Sequence, residues 1–336
     1  MEKDRIMRVI QYGMGSIGSR IVRELLKKRG FELVGAIDIA PDKVGREVSE
    51  VAGLPEPLNL PVESDPARVL TSTRADVVVH TTGSHLPQIF SQLEEVVQRG
   101  LNVVSTSEEL IYPFLRHPEL SSQLDQLARE KGVTVLGTGV NPGFVMDTLA
   151  LVLSSVCLEV SEVRVERVID VATRRYPFQK KVGAGLSPEK FPSAVAQGRI
   201  GHVGLTESLY LIAHGLGWTI EEIEEETTPI LAESPLRTDY IEVGPGMVAG
   251  IDQLAQGISG GREVLTLRFQ AFIGAPKPHD TIEVEGTPPL QVTINGGIAG
   301  DVATVAMVIN SLPRVVAAEP GLKTMIDLPL PHAALR

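Results

Sequence analysis

Short runs of apolar, β-branched residues alternate with longer stretches of helical periodicity from Met7 to about Gly137. This alternation predicts parallel strands joined by crossover helices, that is, an α/β Rossmann domain with a parallel sheet over residues 1–146. Amphipathic helices are predicted after the first strand and twice more, where a glycine follows to end each helix. The predicted strands are Arg8–Tyr12, Glu32–Asp38, Asp76–Thr81, Asn102–Ser105 and Val133–Gly137, and the later helices are Leu86–Arg99 and Glu119–Lys131.

The pattern changes after about Asp147. Strand-like alternation and helical periodicity now follow one another without the regular βα rhythm, which predicts an α+β second domain with a largely antiparallel sheet over residues 147–299. The predicted strands are 161–172, Val264–Ile273 and Thr281–Glu285, and the predicted helices are Pro188–Gln197 and Leu205–Leu216. A last helix, capped by Asp301 and ended by Pro313, is expected to pack with the rest of residues 300–336 on the first domain.

Composition and charge agree with a two-domain enzyme of 336 residues. A formal net charge of -11 argues against nucleic acid and anionic membranes as partners. No apolar segment approaches the roughly 18 residues that span a bilayer, so we expect a cytoplasmic protein. The single cysteine, Cys157, excludes a disulfide within one chain and is expected to be a small buried residue.

A dinucleotide fingerprint follows the first strand. The segment Gly13-Met14-Gly15-Ser16-Ile17-Gly18 lies between a strand and a helix, and Asp38 ends the next strand 20 residues after Gly18. Glycines at these positions permit a tight turn, close approach of a pyrophosphate and close packing of helix on strand. We therefore predict that this segment binds NAD or NADP. Asp38 favours NAD by repelling a 2′-phosphate, whereas Lys43 and Arg46 leave NADP open.

Further cofactor contacts are predicted where later strands end, because ligands of open α/β sheets bind at the carboxyl ends of strands. The candidates after the third predicted strand are Thr81, Thr82, Gly83 and Ser84, with Ser84 as a helix cap the alternative. Asn141, in the glycine-rich loop after the last strand, is a candidate for the nicotinamide carboxamide; the alternative is a plain turn between domains. His80 and His85 are expected to be structural, and His202 and His214 lack metal-ligand spacing, so we predict no metal.

Several stretches resemble the 2,4-diaminopentanoate dehydrogenase and native amine dehydrogenase family, a branch of the dihydrodipicolinate reductase-like oxidoreductases. The resemblance lies in the fingerprint with Ala36-Ile37-Asp38 and in the segments Ser105–Pro113, Asn141–Phe144, Arg174–Leu186 and Gly296–Asp301. The histidine-rich motif typical of dihydrodipicolinate reductases is missing. The resemblance implies reversible oxidative deamination of an amine to a ketone and ammonia, with a catalytic glutamate just after the fourth predicted strand.

Glu108 stands at that position, and Glu109 is the fallback because adjacent carboxylates cannot share one helical face. A base is needed there to deprotonate the ammonium before hydride can leave the carbon. Arg174 and Arg175 would clamp a substrate carboxylate, although an exposed basic pair is an equal alternative. Tyr176, Phe178 and Phe144 would form an apolar wall. A homodimer through the second sheet is expected; imine or enamine reduction and a cofactor sensor are the alternative functions.

Overall fold

The first part of the chain alternates strands and helices in the computed structural model, which describes residues 6–333. Every strand predicted for this part is present, with its ends within one residue of the expected positions. The strands β1 to β6 are Met7–Tyr12, Phe31–Ile37, Val62–Glu63, Val77–His80, Asn102–Ser105 and Thr134–Gly137. The helices α1 to α5 are Ser16–Leu25, Val48–Ala52, Pro66–Ser72, Leu86–Gln98 and Pro118–Lys131.

The second part contains long strands and short helices. The helices α6 to α9 are Thr148–Ser154, Tyr176–Lys181, Phe191–Ala196 and Leu205–Leu216. The strands β7 to β14 are Glu159–Asp170, Glu222–Leu231, Leu236–Arg237, Glu242–Val243, Val248–Ser259, Arg262–Phe272, His279–Thr287 and Leu290–Asn295. The chain then continues into α10, Gly300–Val316, and β15, Gly321–Lys323.

The first sheet has seven parallel strands in the order β15-β6-β5-β4-β1-β2-β3. Its central strands are buried on both faces: Ile10 and Val78 pack into one apolar cluster, while Val9 and Val77 pack into another on the opposite face. Burial on both faces explains why apolar residues occupy consecutive positions in these strands, as in Val77–Val79. The strand order reverses between β1 and β4, the point at which open α/β sheets bind ligands.

The second sheet is mixed, with the order β14-β13-β7-β12-β11-β8. Only β7 and β12 pair in parallel, and the other neighbours are antiparallel. One face of this sheet is buried through residues such as Val165, Leu267 and Ile282, whereas the other carries Arg164, Glu166, Arg268 and Asp252. The predicted fold class, a parallel Rossmann sheet followed by a largely antiparallel α+β region, is confirmed.

The helix α10 differs from its prediction at both ends. It begins at Gly300, so Asp301 lies in its first turn, and it continues through Pro313 to Val316. Proline removes one backbone hydrogen bond from a helix. The helix nevertheless continues because Leu312 and Val315, on either side of the proline, are fully buried in the core of the first sheet. Tertiary packing therefore outweighs the local penalty.

The described residues divide into two compact units. Residues 6–144 and 300–333 form the first, because α10 packs on α1 and β5 and β15 pairs with β6. Val145–Ala299 form the second. No helix within residues 6–333 has the length and apolar character needed to cross a bilayer.

The expectation of a buried cysteine was wrong. Cys157 is only partly buried, and its Sγ lies 3.2 Å from the carbonyl oxygen of Pro288. Its neighbours Val156 and Leu158 are 67% and 88% exposed. The reason is that α6 ends before this segment, which then crosses the surface of the second unit toward β7.

Candidate active site

The glycine turn between β1 and α1 requires two of its three glycines for its own shape. Gly13 has φ +95°, and a Cβ there would lie 2.8 Å from the Thr81 carbonyl oxygen. A Cβ on Gly18, inside α1, would overlap the Gly13 carbonyl oxygen. Gly15 differs, because a Cβ there would meet nothing within 4 Å. This third glycine therefore faces open space at the N-terminus of α1, where an anion binds favourably.

Hydrogen bonds from β1 and from the loop after β4 hold this turn. Gln11 Nε2 donates to the Gly13 carbonyl and to Thr81 Oγ1, each over 2.9 Å, and Thr81 Oγ1 donates to the Gly13 carbonyl over 2.8 Å. The Thr81 hydroxyl therefore supports the turn itself. Sequence reasoning missed Gln11, although a polar residue inside an apolar strand was a usable signal.

Asp38 lies just after β2 and touches the same turn. Its carboxylate accepts hydrogen bonds from the backbone N–H of Met14 at 2.7 Å and of Ala40 at 2.8 Å, and from Lys43 Nζ at 3.0 Å. Burial alone would raise the pKa of Asp38, but these hydrogen bonds hold it below its ordinary value. The next residue, Ile39, is 80% exposed, an apolar surface beside the carboxylate that sequence reasoning missed.

Strand β4 ends with a buried histidine, directly before the loop. His80 lies with Nδ1 3.0 Å from Ser105 Oγ and Nε2 2.9 Å from Gln92 Oε1. Burial lowers the pKa of His80 to about 4, so the ring is neutral at pH 7. Thr82 Oγ1 joins the same network, 2.8 Å from His80 Nε2. His80 is therefore a structural residue under the loop Thr82-Gly83-Ser84.

The two adjacent glutamates after β5 have different surroundings. Glu109 is 5% exposed, and its carboxylate accepts hydrogen bonds from His85 Nδ1, the Leu86 backbone N–H and His117 Nε2, at 2.8, 2.7 and 2.8 Å. Glu108 is only half-buried, and its carboxylate has no hydrogen-bond or ion-pair partner among residues 6–333. Of the two, Glu108 has the carboxylate that is available for a proton transfer.

The hydrogen-bond partners of Glu109 lower its pKa. Burial alone would raise the pKa of this carboxyl, but the hydrogen bonds from His85, Leu86 and His117 hold it below the ordinary value. Glu109 is therefore an ionised structural carboxylate.

Strand β6 packs directly behind these glutamates. They lie at a one-turn 3-10 helix, Glu109–Ile111, and a Cβ on Gly137 would lie 2.6 Å from the Leu110 carbonyl oxygen. The glycine that ends β6 therefore lets the turn approach the sheet closely.

Asn141 follows β6 in the glycine-rich loop. Both polar atoms of its side chain are buried, and neither has a hydrogen-bond partner within the described part of the chain. Buried amides normally have partners, so unpaired ones point to a missing ligand. An amide can both donate to and accept from a carboxamide. Together with the open space at Gly15, this fits a nicotinamide dinucleotide.

The substrate residues predicted from the second unit lie near one short helix. Arg174 and Arg175 lie in the loop between β7 and α7, whereas Tyr176 and Phe178 belong to α7 itself. The Arg174 guanidinium carbon lies 4.9 Å from the centre of the Phe178 ring, while Arg175 and Tyr176 are exposed. Phe144 belongs to the first unit and packs against its core.

A buried glutamine fixes the turn that carries these arginines. Gln179 is fully buried, and its Nε2 donates to the carbonyl oxygens of Ala172 and Arg174 at 3.0 and 2.9 Å. Its Oε1 accepts a hydrogen bond from Thr238 Oγ1 at 2.9 Å. Sequence reasoning missed this residue. Among the described residues, no group of three or more histidine, cysteine, aspartate or glutamate side chains is arranged to hold a metal ion.

A glycine turn at the switch point of a parallel sheet, with an acidic residue after the second strand, defines an oxidoreductase that uses a nicotinamide cofactor. The chain belongs to the 2,4-diaminopentanoate dehydrogenase family. The model of that family's C-terminal domain matches residues 144–336, and the model of the dihydrodipicolinate reductase N-terminus matches residues 7–110.

Whole-chain relatives agree with this assignment. The chain is 32% identical to a 2,4-diaminopentanoate dehydrogenase of Acetoanaerobium sticklandii, over all of this chain and 96% of the relative. It is 25% identical to an amine dehydrogenase of Streptomyces virginiae, over 96% of each chain. The structure of an amine dehydrogenase from Mycobacterium smegmatis superposes with a TM-score of 0.86, 28% identity and 97% coverage of both chains.

These findings confirm the predicted family and enzyme class and favour amine dehydrogenation over imine reduction. The reductase model covers only the cofactor-binding part, whereas the match to the diaminopentanoate dehydrogenase model covers the second unit.

Proposed function

We propose that the protein catalyses the reversible oxidative deamination of a short-chain amine, 2,4-diaminopentanoate or a close analogue, to a ketone and ammonia. The observation that carries this proposal is the half-buried carboxylate of Glu108 after β5, which has no partner within residues 6–333, beside a fully hydrogen-bonded Glu109. The names of the relatives support the choice of substrate.

The cofactor would lie along the carboxyl edge of the first sheet. The pyrophosphate would rest on the glycine turn, Asp38 would accept hydrogen bonds from the adenosine ribose, and Ile39 would pack against the adenine. Asn141 would pair with the nicotinamide carboxamide. When bound, a nicotinamide ring would supply a hydride acceptor for deamination and a hydride donor for the reverse reaction. Thr82, Gly83 and Ser84 would border the ring.

Glu108 would carry the proton transfers. It takes a proton from the substrate ammonium, so that the nitrogen lone pair can form the C=N bond as hydride leaves. Glu108 then releases this proton to solvent, and the regenerated carboxylate stabilises the cationic iminium and removes a proton from the water that adds to its carbon. It passes that proton to the nitrogen and takes up the hydroxyl proton of the carbinolamine as the C–N bond breaks, which releases ammonia and the ketone. In reverse, it holds ammonia against the ketone.

Recognition of a carboxylate would come from the second unit. Arg174, stacked on Phe178 and held through its carbonyl by Gln179, is the better placed of the two arginines to clamp one. Arg175 and Tyr176 of the same segment are the further substrate candidates of the second unit, and Phe144 is the candidate of the first. A guanidinium suits the carboxylate of an amino-acid-like diamine.

We also propose that the protein is a homodimer in the cytoplasm. The charged face of the second sheet supports the homodimer, because basic and acidic side chains alternate on it. Arg268 lies 2.6 Å from Asp252, and His279 lies 3.0 Å from Glu166. Such a face is complementary to a second copy of itself. A single cysteine, with no disulfide to form, suits a reducing compartment. A monomeric mass by light scattering would end the dimer proposal.

The function is tested by mixing the protein with NADH or NADPH and a panel of ketones and cyclic imines, with and without ammonium, and following reduced-cofactor absorbance. Oxidation that requires both ketone and ammonium supports amine dehydrogenation. Oxidation of cofactor by cyclic imines without ammonium would replace it with imine reduction, and binding without turnover would indicate a sensor.

A further inference from the structure

Glu109 joins three segments of the first unit that are separate in sequence. Its Oε1 accepts a hydrogen bond from His85, and its Oε2 accepts from the Leu86 backbone N–H and from His117. His85 and Leu86 stand at the start of α4, and His117 stands at the start of α5. A carboxylate buried to this degree is costly unless each oxygen has partners. The three donors meet that need.

Further hydrogen bonds connect the loop after β4 with the turn after β5. The Ser84 carbonyl accepts hydrogen bonds from Ser107 Oγ at 2.9 Å and from the Glu109 N–H at 3.1 Å. Ser107 N in turn donates to Ser105 Oγ at 3.1 Å. The loop after β4 and the turn after β5 are thus connected by both backbone and side-chain hydrogen bonds.

These hydrogen bonds also fix the backbone at Glu108, because Glu108 directly precedes Glu109 in the chain. We propose that Glu109 is a positioning residue: with His85 and His117 it holds the Glu108 turn at a fixed distance from the cofactor-facing loop Thr82-Gly83-Ser84. This inference rests on the proposed function. Its physical basis is that hydride and proton transfer demand accurate placement, and a misplacement of about 1 Å can reduce turnover by about 100-fold.

Two matched pairs of variants test the proposal. Glutamine presents Nε2 where histidine presents its own Nε2, so His117→Gln keeps the donor to Glu109, while His117→Leu removes it. Glu109→Gln removes the charge and one acceptor at constant shape, and Glu119→Gln on the exposed start of α5 is its control. For each variant we would measure kcat and KM of ammonium-dependent turnover, NADH affinity by fluorescence, and the melting temperature.

We expect Glu109→Gln and His117→Leu to lower kcat about 10- to 100-fold while NADH affinity and substrate KM stay within about three-fold. His117→Gln and Glu119→Gln should remain near wild-type kcat. Unchanged kcat in Glu109→Gln would overturn the inference, and so would equal losses in both His117 variants or losses that follow lost folding and lost NADH binding. A wild-type protein that binds NADH but shows no ammonium-dependent turnover would instead end the proposed function, and this inference with it.

Discussion

The glycine turn and the turn that carries Glu108 both lie where strands of the first sheet end, yet they work by different means. The glycine turn acts through its backbone: Gly13 and Gly18 allow its shape, and Gly15 leaves open space. The Glu108 turn depends on side chains, with one carboxylate available and the next one engaged by three donors. In the proposed mechanism, cofactor binding by the glycine turn is thus separate from acid–base chemistry by Glu108, so we expect that each can be removed without the other.

The largest effect should come from Glu108→Gln. Removing a positioned general base lowers rates by about 10²- to 10⁴-fold, so we expect kcat for deamination to fall about 1,000-fold. The affinity for NADH should not change, because the glycine turn is untouched. Steady-state kinetics and fluorescence titration check both points. Normal turnover in Glu108→Gln together with loss in Glu109→Gln would transfer the base to Glu109.

The second-largest effect should come from Gly15→Ala, which tests whether Gly15 leaves room for a ligand and is not needed for the shape of the turn. In Gly15→Ala the new methyl group meets no protein atom within 4 Å, so the melting temperature should stay constant. The methyl group would enter the space proposed for the pyrophosphate, so the Kd for NADH should rise at least about 10-fold, roughly 1.4 kcal/mol.

Gly18→Ala is the matched control for that change. Its methyl group overlaps the Gly13 carbonyl, so the protein should lose about 1–3 kcal/mol of unfolding free energy. Calorimetry and NADH titration of both variants measure the difference. A Gly15→Ala protein with wild-type NADH affinity would contradict the proposed cofactor position.

A third, smaller effect concerns the substrate carboxylate. Arg174→Met should raise KM for 2,4-diaminopentanoate about 10-fold, as expected for loss of a charge-assisted hydrogen bond of about 1.5 kcal/mol. KM for an alkyl amine without a carboxylate should change little. Arg175→Met is the comparison variant. If both substrates respond alike, or if Arg175 is the sensitive position, the assignment to Arg174 fails.

The smallest effect should appear in the choice of cofactor. Lys43 lies 3.0 Å from Asp38 and offsets part of the charge that would repel a 2′-phosphate. We propose that NAD is preferred and NADP accepted, and that Lys43→Ala lowers the NADP-to-NAD ratio of kcat/KM about three- to ten-fold, a change of about 1 kcal/mol. A ratio that rises in this variant would exclude that role.

The contrast between local backbone patterns and side-chain contacts also explains how much could be predicted from the sequence. Strands β1, β2, β4, β5 and β6 were predicted because each contains a short run of apolar residues, many of them β-branched, such as Val77–Val79 in β4. The short elements β3, α2 and β15 have too few residues to show a period. Strand β8 was missed because its exposed, glutamate-rich sequence does not resemble a strand.

The active-site residues divide in the same way. Backbone motifs have fixed spacing, so the glycine turn and Asp38 could be found from sequence. The difference between Glu108 and Glu109 could not, because it depends on His85 and His117, which lie 24 and 8 residues from Glu109. The unpaired amide of Asn141 likewise became visible only when its burial was known. The sequence supported both its candidate role and a plain turn.

The return of the chain to the first sheet affects the order in which this protein can be made. Helix α10 supplies Val308, Leu312 and Val315, all fully buried in a core that they share with residues of strands β1, β4, β5 and β6 from the beginning of the chain. During synthesis the core of the cofactor-binding unit is therefore completed only after the second unit has been made and α10 has left the ribosome. Until then the apolar face that α10 covers is exposed to water. A shortened product that ends near residue 144 would keep that face uncovered and be prone to aggregate.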